Sequence, residues 1–292
     1  MPKRFVSIAI LVVAVVGGSI AYLLFRPPPV PPVDEVLVDQ GGSFEELPDP
    51  VYDDEDWPAW RGPRRDGTRP AAAPPVEWTQ ENVRWKSAVP GRGHGSPVIV
   101  SGRVFLPTAD ESAKTQSVSG FDLQTGETLW QTEVHQGGLD PYAHQKNTQA
   151  SSTLASDGEL LFAAFLHDGA IWVTGLSLNG DLLWQREVGG FASKFGYAAS
   201  PVIYGSTVIA AADHRDGGFL SALHRKTGEI VWRKRRSAAE SYATPAVLEI
   251  GGRDLLLISG GRRVDCYDPA TGEAIWSVDG TAEACVGSPI RD

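Results

Sequence analysis

The sequence has almost no sulfur: two cysteines, Cys266 and Cys285, and one methionine in 292 residues. Two thiols cannot build a disulfide framework, and no CxxC or CxxCH spacing offers a metal or haem pair. Their separation of nineteen residues leaves open a single bridge or two free thiols. A basic field is missing as well. The net charge is −10, and ten acids between Pro27 and Trp60 stand without a Lys or Arg, leaving the rest of the chain formally neutral. That balance excludes the broad positive surface needed for nucleic-acid binding. The one basic run, "RKRR" at 233–236, reads as a solvated outer strand. Catalytic signatures are also lacking. HExxH and GxSxG do not occur, and His94, His135, His144, His167, His214 and His224 show no i,i+4 metal spacing, so no metal site is expected. "GRGHGS" at 91–96 lacks the lysine and helix of a phosphate loop and reads as a tight turn.

Long apolar runs are absent too, with one exception. After "MPKR", residues 5–25 carry 21 positions without a charge, enough at about 1.5 Å per residue to span a bilayer core. Lys3 and Arg4 ahead of the run, and the acids behind it, place the N-terminus in the cytoplasm. Residues 1–25 are therefore expected to be an uncleaved transmembrane anchor. Secretion after cleavage near Ser19-Ile20-Ala21 is the alternative, although Tyr22 to Phe25 continue the run past that site. Either way the bulk of the chain is exported. "RPPPVPPV" and the acidic stretch after it have too little apolar surface to fold alone, so 26–56 reads as a stiff tether.

From residue 93 the chain repeats. The turns "FDLQTGETLW", "LSLNGDLLW", "LHRKTGEIVW" and "YDPATGEAIW" end on Trp130, Trp184, Trp232 and Trp276, spaced by 54, 48 and 44 residues. Small-residue markers at Ser96, Ser152, Ser200, Thr244 and Ser288 run ahead of apolar β-type runs. Each repeat holds four such runs, in the first about 96–100, 103–108, 116–122 and 127–134, and no amphipathic helical window interrupts them. Four strands in about 45 residues is the size of a propeller blade. A sandwich would not repeat a tryptophan at fixed phase, and a solenoid coil is shorter. In each turn the polar residue bonds the backbone amides ahead of it, and glycine supplies the positive φ of a tight hairpin. The tryptophan then fills the gap to the neighbouring blade, where its indole N–H needs a partner. Its role is structural. The expectation is an all-β propeller with blades at about 93–134, 147–188, 196–236 and 241–280, and a fifth beginning at 285–292.

These "DxxTGExxW" turns and "SPV" strands resemble the PQQ-like repeats of quinoprotein alcohol dehydrogenases and of the outer-membrane-assembly propeller lipoprotein. "WPAWRGPRRDG" (57–67) with "WTQENVRWKSAVPGRGHGSPVI" resembles the opening of bacterial membrane-anchored "PQQ-binding-like β-propeller repeat" proteins. The resemblance covers residues 57–292. It implies a ring of seven or eight blades, with 57–92 as a lead-in and 82–89 as an outer strand closing the last blade. Four blades and one further strand would then be a fragment or truncated product. Quinoprotein dehydrogenases carry adjacent cysteines against the cofactor, a Glu/Asn/Asp set on calcium and an Asp base. None of these can be matched here, so no cofactor is expected. PQQ with calcium enters only if the chain is an oxidoreductase whose cofactor residues lie in a missing C-terminal part.

The informative stretches are those that do not repeat. "HQGGLDPYAHQKNTQASS" (135–152) and "GGFASKFGYAASP" (189–201) are links into innermost strands, where side chains line one mouth of a propeller's channel. His144, Lys146, Asn147, Lys194 and Tyr197 are the candidate binding residues; capping a blade or bonding loop backbone is their other possible use. The function that follows is a non-catalytic scaffold on the periplasmic side of the membrane, binding a protein or glycan of the cell envelope.

Overall fold

A computed structural model describes residues 30–36, 44–68, 75–141 and 144–290. The expected anchor at 1–25 lies outside these residues. Among the described residues no helix is long and apolar enough to cross a membrane.

Among the described residues sixteen strands form four antiparallel sheets, each a meander in chain order. Blade one holds β1 (Val98–Val100), β2 (Arg103–Asp110), β3 (Thr115–Asp122) and β4 (Thr128–Gln136). Blade two holds β5 (Ala155–Ser156), β6 (Leu160–His167), β7 (Ala170–Ser177) and β8 (Leu182–Gly190). Blade three holds β9 (Val202–Tyr204), β10 (Thr207–Ala212), β11 (Gly218–His224) and β12 (Ile230–Arg236). Blade four holds β13 (Ala246–Ile250), β14 (Arg253–Gly260), β15 (Arg263–Tyr267) and β16 (Ala274–Asp279). The first strands β1, β5, β9 and β13 are neighbours in sequence of blades, which puts them innermost. Apolar residues of the middle strands pack between sheets: Phe105, Phe162, Phe165, Phe219 and Leu256 are all buried.

The repeated turn and ring make one joint. Trp130, Trp184 and Trp232 donate their indole N–H to Leu178, Arg225 and Pro269 carbonyls in the turn of the next blade, at 3.0, 2.8 and 3.2 Å. The turn glycines Gly180, Gly228 and Gly272 lie over those rings, so a Cβ on any of them would sit 2.4–2.6 Å from the indole. Within its own sheet each ring faces a small residue: Gly120 pairs with Trp130, Gly175 with Trp184, Ala222 with Trp232. The ladder slips by one residue just beyond that pair in all four blades, a bulge that bends the outer strand toward the next turn. Blade one receives a ring in the same way. Trp85, in the lead-in, donates to the Leu123 carbonyl at 2.9 Å and lies against Gly126. In the first turn Asp122 accepts from the Thr125 and Gln124 amides and the Thr125 hydroxyl, and these bonds hold its carboxyl below the ordinary value.

Three expectations need correction. The small residue in phase with Ser96, Ser200 and Thr244 is Thr153, not Ser152, because the blade-to-blade bonds described below run through it. The basic run 233–236 is not a solvated face. Val36 bridges Arg233 in antiparallel register, Arg235 donates to the Val33 carbonyl, and the Arg236 side chain is 1% exposed. The segment 26–56 is also more than a spacer. Its described parts are extended but strapped to the blades, with Val33 packed on the core and Phe44 stacked on His224 at 6.0 Å. Glu45 pairs with Lys226 at 2.9 Å. The Pro48 carbonyl accepts from buried Arg225, which pairs with Asp157 at 2.6 Å, and Tyr52 donates to the Ser156 carbonyl at 2.7 Å. The acids find in cis the bases that an unstructured tether would have left to water. Cys266 and Cys285 are both free thiols.

Between blades one and two, His135 stacks on His167 at 4.2 Å and meets Phe165 and Trp172 edge-on. Burial, then the neighbouring His167, push its pKa down to about 4. Its folded pKa lies below the unfolded value of about 6.5, so the unfolded chain binds the proton first as pH falls. Stability should be level above about pH 7 and decline from about pH 6.5 toward pH 4. His135→Phe should flatten that decline in thermal-melt midpoints; an unchanged pH profile would remove His135 as its source.

Candidate functional site at the axial mouth

The links into the four innermost strands converge on one end of the inter-blade axis. They are stitched together by backbone-to-hydroxyl bonds that step from blade to blade: Ser96 N–H to Thr153 Oγ1, Thr153 N–H to Ser200 Oγ, and Ser200 N–H to Thr244 Oγ1, at 2.9, 3.0 and 3.0 Å. Inner strands of neighbouring blades splay apart and cannot share a ladder, so a hydroxyl two residues before each strand supplies the missing acceptor.

Above this row lies a cleft of about 490 Å³, a size typical of ligand sites. Trp60, His94, Lys146, Asn147, Phe195, Tyr242 and Val286 line it together with the hydroxyl row. Among the described residues the lining contains no carboxylate and no cysteine. Lys146 and Asn147 thus reach the cleft, by different uses. Asn147 is occupied in structure: its side-chain amide donates to the Phe195 and Tyr197 carbonyls, joining the two long links, and its Oδ1 accepts from the Thr148 amide and the Ser151 hydroxyl. Lys146 is exposed and forms no ion pair among the described residues. His144 does not line the cleft; its ring rests 4.9 Å from Phe195 and its Nδ1 accepts the Lys146 amide. Lys194 stands at the rim with its ammonium 5.3 Å over the Phe195 ring, while its amide donates to Glu240. Tyr197 points away. It is buried against Phe191, its hydroxyl has no partner among the described residues, and burial pushes its pKa well above the ordinary phenol range.

Sequence reasoning passed over Trp60, His94 and Tyr242 as site residues, and took the hydroxyl row only as a marker of the repeat. The row had a visible signal, since a Ser or Thr recurs at fixed phase before each first strand. Tyr242 had none: it bonds Ser193 and Glu240, at 3.0 and 3.2 Å, and burial first of all pushes its pKa up to about 12. Trp60 comes from the lead-in, which crosses the innermost strands in turn. Trp57 exchanges two backbone bonds with Ile99 of β1, and the Pro58 carbonyl accepts from Ser156 of β5. Arg65 donates to the carbonyls of Ile203 in β9 and Val247 in β13. Its guanidinium is pulled below its ordinary pKa by burial. The Trp57 ring covers Gly62, where φ is +77° and a Cβ would lie 2.7 Å from the ring. Trp60 itself donates to Ser288 at 3.2 Å.

Sheets of four strands, joined in sequence by a tryptophan and a glycine turn around a common axis, define a β-propeller of the PQQ-repeat type. The chain belongs to the family described as outer membrane protein assembly factor BamB, whose profile matches residues 76–215 and 114–290. It is 27% identical over 213 residues to the outer membrane protein assembly factor BamB of Burkholderia pseudomallei, a match covering 70% of this chain. The chain spans about half the length of that relative. Two solved structures share the fold at a TM-score of 0.51: a europium-containing methanol dehydrogenase, 14% identical, and the quinohemoprotein alcohol dehydrogenase of Comamonas testosteroni, 13% identical. The matches cover 65% and 77% of this chain and 42% and 41% of those chains.

Proposed function

We propose that this protein is a non-catalytic envelope scaffold that docks a protein partner at the axial mouth. The carrying observation is the cleft itself, where exposed Trp60 and Phe195 stand beside the buried hydroxyl row. Kinship to an outer membrane protein assembly factor supports a partner in that process. The apolar run at 5–25 would hold the propeller on the periplasmic side, with the N-terminus in the cytoplasm. Segment 82–89, which already carries Trp85 into blade one, would serve as the closing outer strand of a ring of seven or eight blades.

The likeness to two alcohol dehydrogenases favours a second reading, a PQQ-dependent oxidoreductase. The residues of this cleft do not fit that cofactor: they offer neither a vicinal cysteine pair nor a carboxylate for calcium. Reduction of a dye by alcohols in the presence of PQQ and calcium would restore it.

The scaffold is tested in living cells by a photoreactive phenylalanine analogue at position 195, with Leu129, exposed on an outer strand, as control. A cross-link from 195 to a component of the outer-membrane assembly machinery, absent from 129, is the expected result. No adduct at 195 above the control would remove the mouth as the docking surface.

A further inference from the structure

The cleft is rich in donors and rings, and its lining among the described residues has no negative side chain. Thr153, Ser200 and Thr244 are 2%, 2% and 6% exposed and line it from three successive blades. Each oxygen accepts a backbone amide. A hydroxyl has one proton to give and two lone pairs. None of the three donates to an acceptor among the described residues, so three protons remain for an acceptor in the cleft. Lys146 adds a cation with no ion pair among those residues, and Lys194 a second at the rim. Glu240, outside the lining, is engaged by the Lys194 amide and the Tyr242 hydroxyl. Glu283, next to Ala284 of the lining, is paired with Arg262 at 2.6 Å. Trp60, Phe195 and Tyr242 provide ring surface beside these donors.

We infer that the mouth binds a carboxylate carried on an aromatic or apolar body. The charge is drawn to the hydroxyl row and Lys146, and the body packs on Trp60, Phe195 and Tyr242. Buried neutral donors suit this task because they favour an anion without having to be desolvated as charges themselves. The inference rests on reading the mouth as the docking surface and names the chemistry it recognises. Two sources carry that chemistry: a small organic acid, and the C-terminal carboxylate of a peptide ending in an apolar residue.

The experiment is calorimetric titration of the detergent-solubilised full chain with 3-phenylpropionate, its neutral amide, and N-acetyl-phenylalanine. The acid should bind stoichiometrically, and the amide about tenfold more weakly or worse, as loss of a charge-assisted hydrogen bond implies. Lys146→Met should weaken the acid about tenfold and leave the amide unchanged. Because Lys146 is exposed, the variant should fold normally, which circular dichroism checks. Tighter binding of N-acetyl-phenylalanine than of 3-phenylpropionate supports a peptide terminus; the reverse order supports a free organic acid. Equal affinity for acid and amide, absence of binding, or indifference to Lys146→Met overturns the inference. If the cross-link from position 195 persists in that case, docking stands without it. If the cross-link is missing while the acid still binds, docking fails and the carboxylate site remains.

Discussion

Trp232→Ala should lower stability by about 3–5 kcal/mol, the range for emptying a buried aromatic site, and Trp276→Ala by less than about 1 kcal/mol. The two residues hold the same place in consecutive repeats and differ in what covers them. Trp232 is fully buried between Ala222 of its own sheet and Gly272 of the next turn, with its N–H on the Pro269 carbonyl. Trp276 is 40% exposed, and its neighbours Ile275 and Val278 are exposed as well. Truncating Trp232 leaves a ring-sized void and a buried carbonyl without its donor, and neither can be relieved while the Gly272 turn stays in place. In a domain of this size the loss corresponds to a fall of about 10 °C in the melting midpoint. Gly272→Ala tests the same joint from the other side, because its Cβ would lie 2.6 Å from the Trp232 ring and its φ is +70°. Scanning calorimetry on the three variants decides the matter. Equal losses for Trp232→Ala and Trp276→Ala would mean that the ring stabilises its own blade and not the joint.

That contrast shows which parts of the molecule can be read from the chain. The joint is legible because both halves recur: a turn whose glycine must have positive φ, and a ring four residues after that glycine, define a unit that packs only on copies of itself. The strap is not legible. Glu35, Glu45 and Pro48 read as an acidic, proline-rich spacer because their partners Arg235, Lys226 and Arg225 lie 177–200 residues away. No local pattern records such a pairing. Thr153 was misphased for a smaller reason: "SST" offers three candidate hydroxyls, and only the bond from Ser96 selects among them. At the mouth, Lys146 and Asn147 were within reach of sequence because their link is long and does not repeat. Tyr197, one link further on, has similar polarity but turns its ring into the Phe191 side of the core. Which way a loop side chain turns depends on the packing beneath it, and that packing is set by residues distant in the chain.

Arg236→Met should cost about 3–5 kcal/mol, because it removes one partner of a buried charge network and strands the others. The guanidinium forms two bonds to Asp213, at 2.7 and 3.0 Å, and further bonds to Asp265 and the Tyr267 hydroxyl, each at 2.9 Å. Asp265 is also held by Arg263 at 3.0 Å and by the Ser277 hydroxyl at 2.6 Å. Two arginines thus face two aspartates, and the cluster is neutral as a whole. Burial alone would lower the Arg236 pKa, but Asp213, Tyr267 and Asp265 together raise it far above arginine's ordinary value. Asp213 follows β10 in blade three, while Asp265 and Tyr267 belong to β15 in blade four, so the network is a latch between blades. Arg236→Lys should recover only part of the loss, since an ammonium cannot reproduce the planar fork that meets both Asp213 oxygens. Pairing Arg236→Met with Asp265→Leu, its partner across the blade boundary, should cost less than the sum of the two single changes, because the second removes a carboxylate that the first had deprived of a partner. Denaturant melts of the four proteins of this cycle give the coupling directly. Additive losses would show that the arginine serves blade three alone, and the latch would then have to be sought in the apolar contacts of Trp232.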